Sequence, residues 1–261
     1  MKLLIDADTP CYAAAAVHEA DDVEYAIMEA NQSIQRLLND TEATSFDVFL
    51  TGENNFRYNI FPEYKANRLK TPRPRHLQAV KEAVARGWNA IISHGCEADD
   101  LLGIEQMKWL RFGAKDSCIA SIDKDLDQIP GEHYHPGIKR KDVWIREPKL
   151  YTITPESALY FFYYQLLIGD TSDNIKGAIG IGPKKAENIL TGCETDWDYY
   201  QAVVPFFSCE EELIQNARCV KIWTSEEERE NLWTPPLEPG TETQLCGERI
   251  KNRDTPLASQ V

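Results

Sequence analysis

No CxxC pair occurs anywhere in this sequence, and its seven cysteines (positions 11, 96, 118, 193, 209, 219 and 246) are odd in number and scattered. That spacing argues against a zinc ribbon and against a disulfide framework, and leaves reduced structural thiols. Histidine is scarce, with five in 261 residues, and His133 and His135 have no Cys or His pair at metal spacing beside them, so a plain loop is expected there. No uninterrupted apolar run approaches the ~18 residues of a membrane span. MKLLIDADTP reaches Asp6 and Asp8 too early for the apolar region of a signal peptide, so the expected compartment is the cytosol, without a membrane partner. No internal repeat is detectable. Positive charge is in deficit: 28 Lys and Arg against 42 Asp and Glu leave −14, which taken alone speaks against a nucleic-acid partner.

That average hides a local reversal. Between Arg57 and His76 stand six basic residues (Arg57, Lys65, Arg68, Lys70, Arg73, Arg75) against one acid, Glu63. A solvated basic loop is the ordinary reading of such a stretch. Beside an anionic metal centre it reads differently: Lys and Arg can neutralise phosphates, and a Tyr can stack on a base.

With 43% hydrophobic residues the chain can bury a substantial core, in one large α/β domain or one domain with a small appendage. KLLID at 2–6 is a short apolar run ending in an acid, the form of a buried parallel strand that delivers Asp6 at its carboxyl end. Helical spacing follows at 22–40, then a second strand at 46–50, a helix near 75–86, a third strand at 89–93, a helix opening at Glu97 and a strand at 118–122. The alternation predicts a mostly parallel central sheet flanked by helices, with its site at the carboxyl ends of the strands.

The run from Gly95 to Asp127 carries the chemistry. Glu97, Asp99 and Asp100 in GCEADD, then Asp123, Asp125 and Asp127 in SIDKDLD, place six acids in 31 residues. An extended chain at 123–125 is expected to put two of them on one side. Carboxylates ~4 Å apart repel by roughly 1 to 4 kcal/mol each, and divalent metal is the natural remedy. Solvated cap and loop acids are the rival reading for either cluster alone. An EF-hand loop would need Gly at Gln128 and Glu at Tyr134, so calcium binding of that type is disfavoured.

Residues 133–153 suggest a hairpin or loop. Thr154 then caps a helix with Pro155 at its first position, running to about Ile168. Asp170 and Asp173 can share a face if their turn is helical. Gly177, Gly180 and Gly182 punctuate the next turn, and Pro183 opens a helix with Lys184 and Lys185, a helix start suited to phosphate. Residues 195–232 read as helical, with the Trp and Tyr residues as core, and 235–261 as a poorly ordered extension.

Four separated signatures therefore stand in one order: LLIDAD, PEYKANR, GCEADD with SIDKDLD, and GDTSDNIKGAIGIGPKKA. Together they resemble the 5′-nuclease (flap endonuclease) family, and within it the compact bacteriophage 5′-to-3′ exonucleases, over about residues 2–195. The resemblance implies a PIN-like nuclease core at 1–153, with a basic arch or loop at 52–86. It also implies a helical, helix-hairpin-helix-type DNA-binding region at 154–234 with its glycine-rich turn at 176–183. It implies that Asp6, Glu97, Asp99, Asp100, Asp123, Asp125, Asp170 and Asp173 bind two divalent ions, Mg²⁺ or Mn²⁺, directly or through water. Tyr64, Lys65 and Arg68 match the family's YKxxR motif, where Lys and Arg meet the scissile phosphate and Tyr meets a base. Lys70, Arg73, Arg75, Gly180, Gly182, Lys184 and Lys185 would add DNA contacts, and the Gly177–Gly182 turn would hold a monovalent cation such as K⁺. Partners would be DNA 5′ ends, nicks and flaps, with RNA·DNA hybrids as a further substrate, and the chain is expected to be a monomer.

One departure stands out. Gly52 occupies the place where the family has an Asp after the second strand, with Glu53 as the candidate substitute ligand, and the segment from Arg68 to Arg86 is short for an arch. On chemistry, Asp6 and Asp123 with Lys65 and Arg68 would carry metal-assisted phosphodiester hydrolysis that leaves 5′-phosphates. Two rivals stand beside it. One is a haloacid-dehalogenase-type phosphatase with Asp6 as nucleophile, against which Pro10 stands where that family wants Thr or Val. The other is a DNA-binding protein without turnover.

Overall fold

The computed structural model describes residues 1–111, 113, 117–141 and 143–240. The expectation of a poorly ordered tail at 235–261 falls, from 241 onward, outside the described residues, as does Cys246.

Strand β1 (Lys2–Asp6) leads into α1 (Asp8–Val17) and α2 (Val23–Thr41), followed by β2 (Ser45–Glu53), the single turn α3 (Arg57–Ile60) and α4 (Leu77–Trp88). Then come β3 (Ile91–His94), α5 (Ala98–Arg111), β4 (Ser117–Ala120) and β5 (Gly131–His135). A hairpin of β6 (Ile138–Arg140) and β7 (Val143–Arg146) precedes β8 (Lys149–Ile153). The helices α6 (Pro155–Ile168), α7 (Pro183–Leu190), α8 (Asp196–Val203) and α9 (Glu210–Val220) complete the described chain.

Six strands form the main sheet in the order β3-β2-β1-β4-β5-β8. The first five are parallel, and β8 runs antiparallel at the edge. The expected mostly parallel sheet is therefore present. Alternation along β1 explains why both faces are covered: Leu3 and Ile5 pack with α1, α2 and α4, while Leu4 packs with Phe49, Ile119 and Leu102 on the α5 side.

Several local expectations are corrected. Helix α1 is absent from the pattern read in the sequence, because Pro10 interrupts it; that proline sits in the first turn, where a missing N–H costs little. The segment expected to be extended at 123–125 is instead a 3-10 turn (Lys124–Gln128), capped when the Asp123 side chain accepts the Asp125 N–H. Within 133–153 the expected hairpin is present as β6–β7, and it is flanked by β5 and β8, two strands of the main sheet, so His133 and His135 lie in a strand rather than the plain loop expected there. Asp170 and Asp173 lie in a tight turn rather than a helix, between Gly169–Asp170 and Ile175–Lys176, which pair antiparallel. Thr154 does cap α6, accepting the Ser157 N–H.

Helices α6 to α9 enclose an aromatic-rich core containing Phe162, Tyr163, Tyr199 and Tyr200, and Tyr64 reaches into it from the basic loop. A second tie joins this unit to the sheet. Arg57 is buried and forks onto Asp100, Nη1 to Oδ2 at 2.7 Å and Nη2 to Oδ1 at 2.8 Å. The same guanidinium donates to the carbonyls of Cys219 and Lys221 at the end of α9. Asp100 also accepts the N–H groups of Glu97 and Trp223, so every lone-pair direction is used. Removing one partner strands a buried charge, which typically costs about 3–5 kcal/mol. Arg57→Ala should therefore lower the unfolding free energy by about that amount in urea titration; a loss below about 1 kcal/mol would be that of a surface pair.

Candidate active site

The carboxyl edge of the parallel sheet gathers the acids. Asp6 ends β1 and is buried; one of its oxygens accepts the Asp8 N–H at 3.0 Å, and the other accepts the hydroxyls of Thr9 (3.1 Å) and Ser121 (2.8 Å). Ser121 follows β4, so this hydrogen bond ties the ends of the two central strands. Glu97 and Asp99 stand at the start of α5, Asp123 and Asp125 follow β4, and Asp170 and Asp173 come from the turn after α6.

These seven groups form one electrostatic network. Burial, and next the Asp8 carboxylate, push Asp6 up to about 6. Burial with Asp6, Asp123 and Glu97 holds Asp99 well above the usual carboxylate range. Burial, with Asp173 and Asp170 adding to it, raises Asp123; burial, then Asp123 and Asp170, pushes Asp125 up to about 8. Two members go the other way. Against the cost of burial, Lys65 and Arg57 hold Glu97 below its ordinary value. Against the same cost, hydrogen bonds from Ser172 and Asp125 keep Asp170 low.

Cations of the chain occupy one side of the cluster. The Lys65 ammonium is hydrogen-bonded to Glu97 and lies 3.5 Å from Asp173, while its backbone N–H donates to the Asp173 carbonyl at 2.9 Å. Lys65 adopts a left-handed backbone at φ 55°, a strained conformation for a residue with a side chain. Arg68 Nη2 reaches Asp173 at 2.5 Å and remains about half exposed. Lys70 and Arg73 lie exposed in the loop beyond. Arg75 turns away: its guanidinium donates to the Asp21 carbonyl, beside the junction of α1 and α2.

Four sequence expectations are revised by this geometry. Asp100, expected among the metal ligands, is fully buried and saturated by Arg57 and two N–H groups. Tyr64, expected to meet a base, is only 2% exposed, and its hydroxyl sits between Glu97 (3.0 Å) and Asp173 (2.7 Å), sharing its single proton with them, so no ring face is offered. Glu53 pairs with His94 on the far side of β2 from Asp6, four residues beyond the Phe49 that faces Asp6. It is displaced by roughly 13 Å along the strand. At Gly52 a Cβ would stand 2.1 Å from the Ser93 carbonyl oxygen, so no side chain fits there. At the glycine-rich turn, Gly177 is required because a Cβ would meet the Gly169 nitrogen at 2.3 Å. Gly180 and Gly182 stand where a Cβ would meet open space, and Lys184 is exposed beside them. Lys185 donates to the Gly180 carbonyl at 2.9 Å, taking one of the oxygens expected to face a monovalent cation.

Two residues near the site escaped the sequence reading. Asp8 accepts the Thr51 N–H at 2.9 Å and pairs with Lys81 at 2.7 Å; Lys81 also donates to the Thr51 carbonyl. Asp8, not Glu53, is thus the acid next to Asp6 on the β2 side. The DAD spacing was the available signal.

Among the described residues no three acids form a ready-made metal ligand set. The donor chemistry nevertheless fits hard divalent ions. All donors are carboxylate oxygens, several are raised by burial and then by mutual repulsion, and Asp125 keeps a buried oxygen, Oδ1, without a partner among the described residues.

A parallel sheet with clustered acids at its carboxyl edge, rimmed by Lys and Arg, is the framework of a nuclease. The chain belongs to the 5′-to-3′ exonuclease family: residues 3–152 match the family described as the 5′-3′ exonuclease N-terminal resolvase-like domain. A flap endonuclease Xni of Aliivibrio salmonicida is 31% identical over 195 residues, covering 67% of this chain and 72% of the relative. Among solved structures, the phage T5 D15 protein co-crystallised with metal ions superposes with a TM-score of 0.66 at 18% identity, over 88% of this chain and 96% of that one. A T5 D15 flap endonuclease variant in a complex with DNA and metal ions gives 0.59 at 17% identity, over 96% and 98%. At such identities these two likenesses speak for the fold.

Two outcomes follow. Gly52→Asp should cost about 1–3 kcal/mol through the clash with Ser93 rather than supply a ligand, as a chemical melt would show. The raised acids hold their protons more tightly folded than unfolded. Their stabilising contribution is therefore complete below the ordinary value near 3.8 and is lost up to about 6 for Asp6 and about 8 for Asp125. In EDTA the melting temperature should keep falling from pH 6.5 to 8, by roughly 2–4 °C per kcal/mol lost; a flat profile would contradict the crowding of these carboxylates.

Proposed function

We propose that this chain hydrolyses DNA phosphodiesters from 5′ ends, as a 5′-to-3′ exonuclease and flap endonuclease that leaves 5′-phosphate products. The observation that carries this reading is the single acid network at the sheet edge with Lys65 and Arg68 at its rim. Family membership supports it, and so does the likeness to the Xni flap endonuclease.

The ligands in this proposal are Asp6, Glu97, Asp99, Asp123, Asp125, Asp170 and Asp173, and the ions are Mg²⁺ or Mn²⁺, two in number. When bound, they supply Lewis acidity and an activated water. The protein's own groups do the rest. Lys65, held at its backbone by Asp173, is poised to move from Glu97 onto a phosphate oxygen once divalent charge satisfies the acids. Arg68, bound to the same Asp173, can fork onto the phosphate from the solvent side. Tyr64 acts as a positioning residue, fixing Glu97 relative to Asp173.

Residues 1–153 form the nuclease core in this reading, and 154–234 contact the duplex through Gly180, Gly182, Lys184 and Lys185, with Lys70 and Arg73 engaging the strand near the site. A K⁺ ion at the Gly177–Gly182 turn would have to displace Lys185 from the Gly180 carbonyl. A monomer, and activity on the RNA strand of RNA·DNA hybrids, belong to the same proposal. The phosphatase reading is disfavoured because it leaves Lys65 and Arg68 beside the acids without a role, and because the two oxygens of Asp6 already accept three hydrogen bonds.

Matched blunt, nicked and flapped substrates labelled at the 5′ end, incubated with Mg²⁺, should give a ladder of short 5′-phosphorylated products that chelator or Asp123→Asn abolishes. Lys65→Ala should lower the single-turnover rate by roughly 10²–10³-fold. Metal-dependent binding without any product would instead make the chain a DNA-binding protein. Adding Mg²⁺ should also raise the melting temperature more at pH 8 than at pH 6, because the ligands must lose their protons.

A further inference from the structure

The hairpin β6–β7 is the segment that the proposed reaction leaves unused. Every described residue from 138 to 150 is exposed, and the stretch carries Lys139, Arg140, Lys141, Arg146 and Lys149 against Asp142 and Glu147 in a chain of net charge −14. None of Arg140, Lys141, Arg146 and Lys149 has an acidic partner within ion-pair distance among the described residues. Apolar side chains are exposed beside them: Trp144 at 41%, and Val143 and Ile145 both at 63%.

The hairpin is built rather than loose. Lys139 faces Trp144 across the ladder, with its ammonium 5.4 Å from the ring centroid. Gly137, at φ 81°, leaves room for the indole, because a Cβ there would lie 2.6 Å from the Trp144 ring and 2.8 Å from the Arg146 carbonyl. Its N–H donates to His135 Nδ1 at 2.9 Å, which fixes the exit from β5.

Its position follows from the topology. Strand β5 runs parallel to β4, with Tyr134 opposite Ala120, so the chain leaves β5 at the edge where Asp123 follows β4. It re-enters through β8, where Lys149 lies opposite His135. The base of the hairpin is therefore one strand from β4 and two from β1, roughly 5 and 10 Å across the sheet. A nucleic acid leaving the acid cluster on the β5 side would meet this hairpin.

We infer that the β6–β7 hairpin is a second nucleic-acid contact, in which Arg140, Lys141 and Arg146 neutralise backbone phosphates of the duplex behind the cleaved end and Trp144 packs on the sugar–phosphate surface. This rests on the nuclease reading above and adds to it a surface that sets affinity rather than turnover. Charge complementarity selects the occupant. Three cations without acidic partners among the described residues, at the rim of a site whose proposed substrate is a polyanion, would gain from releasing counterions.

The test compares the parent chain with R140E/K141E/R146E, and with R140K/R146K as the conservative control. Affinity for a 5′-overhang duplex is read by fluorescence anisotropy in Ca²⁺ across a salt series, alongside single-turnover cleavage at saturating DNA in Mg²⁺. We expect at least tenfold weaker binding for the charge reversal, and a slope of log affinity against log salt shallower by about 2 to 3, at ~0.9 for each phosphate no longer neutralised. The saturated cleavage rate and the melting temperature should stay unchanged, and the conservative control should bind as the parent does. Parent-like affinity and salt slope in the reversal variant would overturn the inference while leaving the nuclease reading intact. Altered sedimentation without altered DNA affinity would overturn it too, marking the hairpin as a protein-binding surface. A parent chain that binds no duplex would remove both readings.

Discussion

One buried ion pair holds the molecule's two halves in register. Arg57 leaves the loop after β2, forks onto Asp100 at the first turn of α5, and donates two further hydrogens to carbonyls at the end of α9. Three segments distant in sequence thereby meet at one guanidinium. Glu97 and Asp99 flank Asp100, so the pair also fixes where their carboxylates emerge. A pair of this kind contributes little net stability over an apolar substitute, and its value lies in the unique arrangement it imposes.

Around that joint the site is a balance of like charges. The sheet edge brings together carboxylates that would repel in isolation, and the chain offsets this on one flank only. Lys65, Arg68 and the Tyr64 hydroxyl serve Glu97 and Asp173, whereas Asp6, Asp99, Asp123 and Asp125 remain crowded and raised. The asymmetry has a chemical use. The satisfied flank positions the basic residues, and the unsatisfied one is left with affinity for cations from solution. Asp8 and Lys81 extend the same logic to the β2 side, where Gly52 can carry no carboxylate.

The basic residues divide by reach. Those near the acids are tethered by them, Arg75 is committed to the junction of α1 and α2, and the hairpin beyond β5 stands clear of both. An acidic protein can in this way present cationic surface beside its acid cluster, with the negative charge elsewhere discouraging a polyanion from binding there.

Much of this was legible in the order of residues. Apolar runs that end in acids gave the parallel strands and the carboxyl edge, because a buried strand and a helix face impose different periods. The four signatures carried the family. What the sequence could not separate was neighbours of the same type. Asp99 and Asp100 look alike in GCEADD, yet successive helical residues point ~100° apart, so one faces the acid cluster and the other the Arg57 guanidinium. Tyr64 and Lys65 adjoin in the same motif, and only the packing of the α6–α9 core decides that the first is buried and the second reaches the site. Composition and periodicity thus determined the layers and the kind of chemistry. Which carboxylate meets a cation, and which cation meets solvent, was decided by tertiary packing, since direction in space depends on partners far away in the chain.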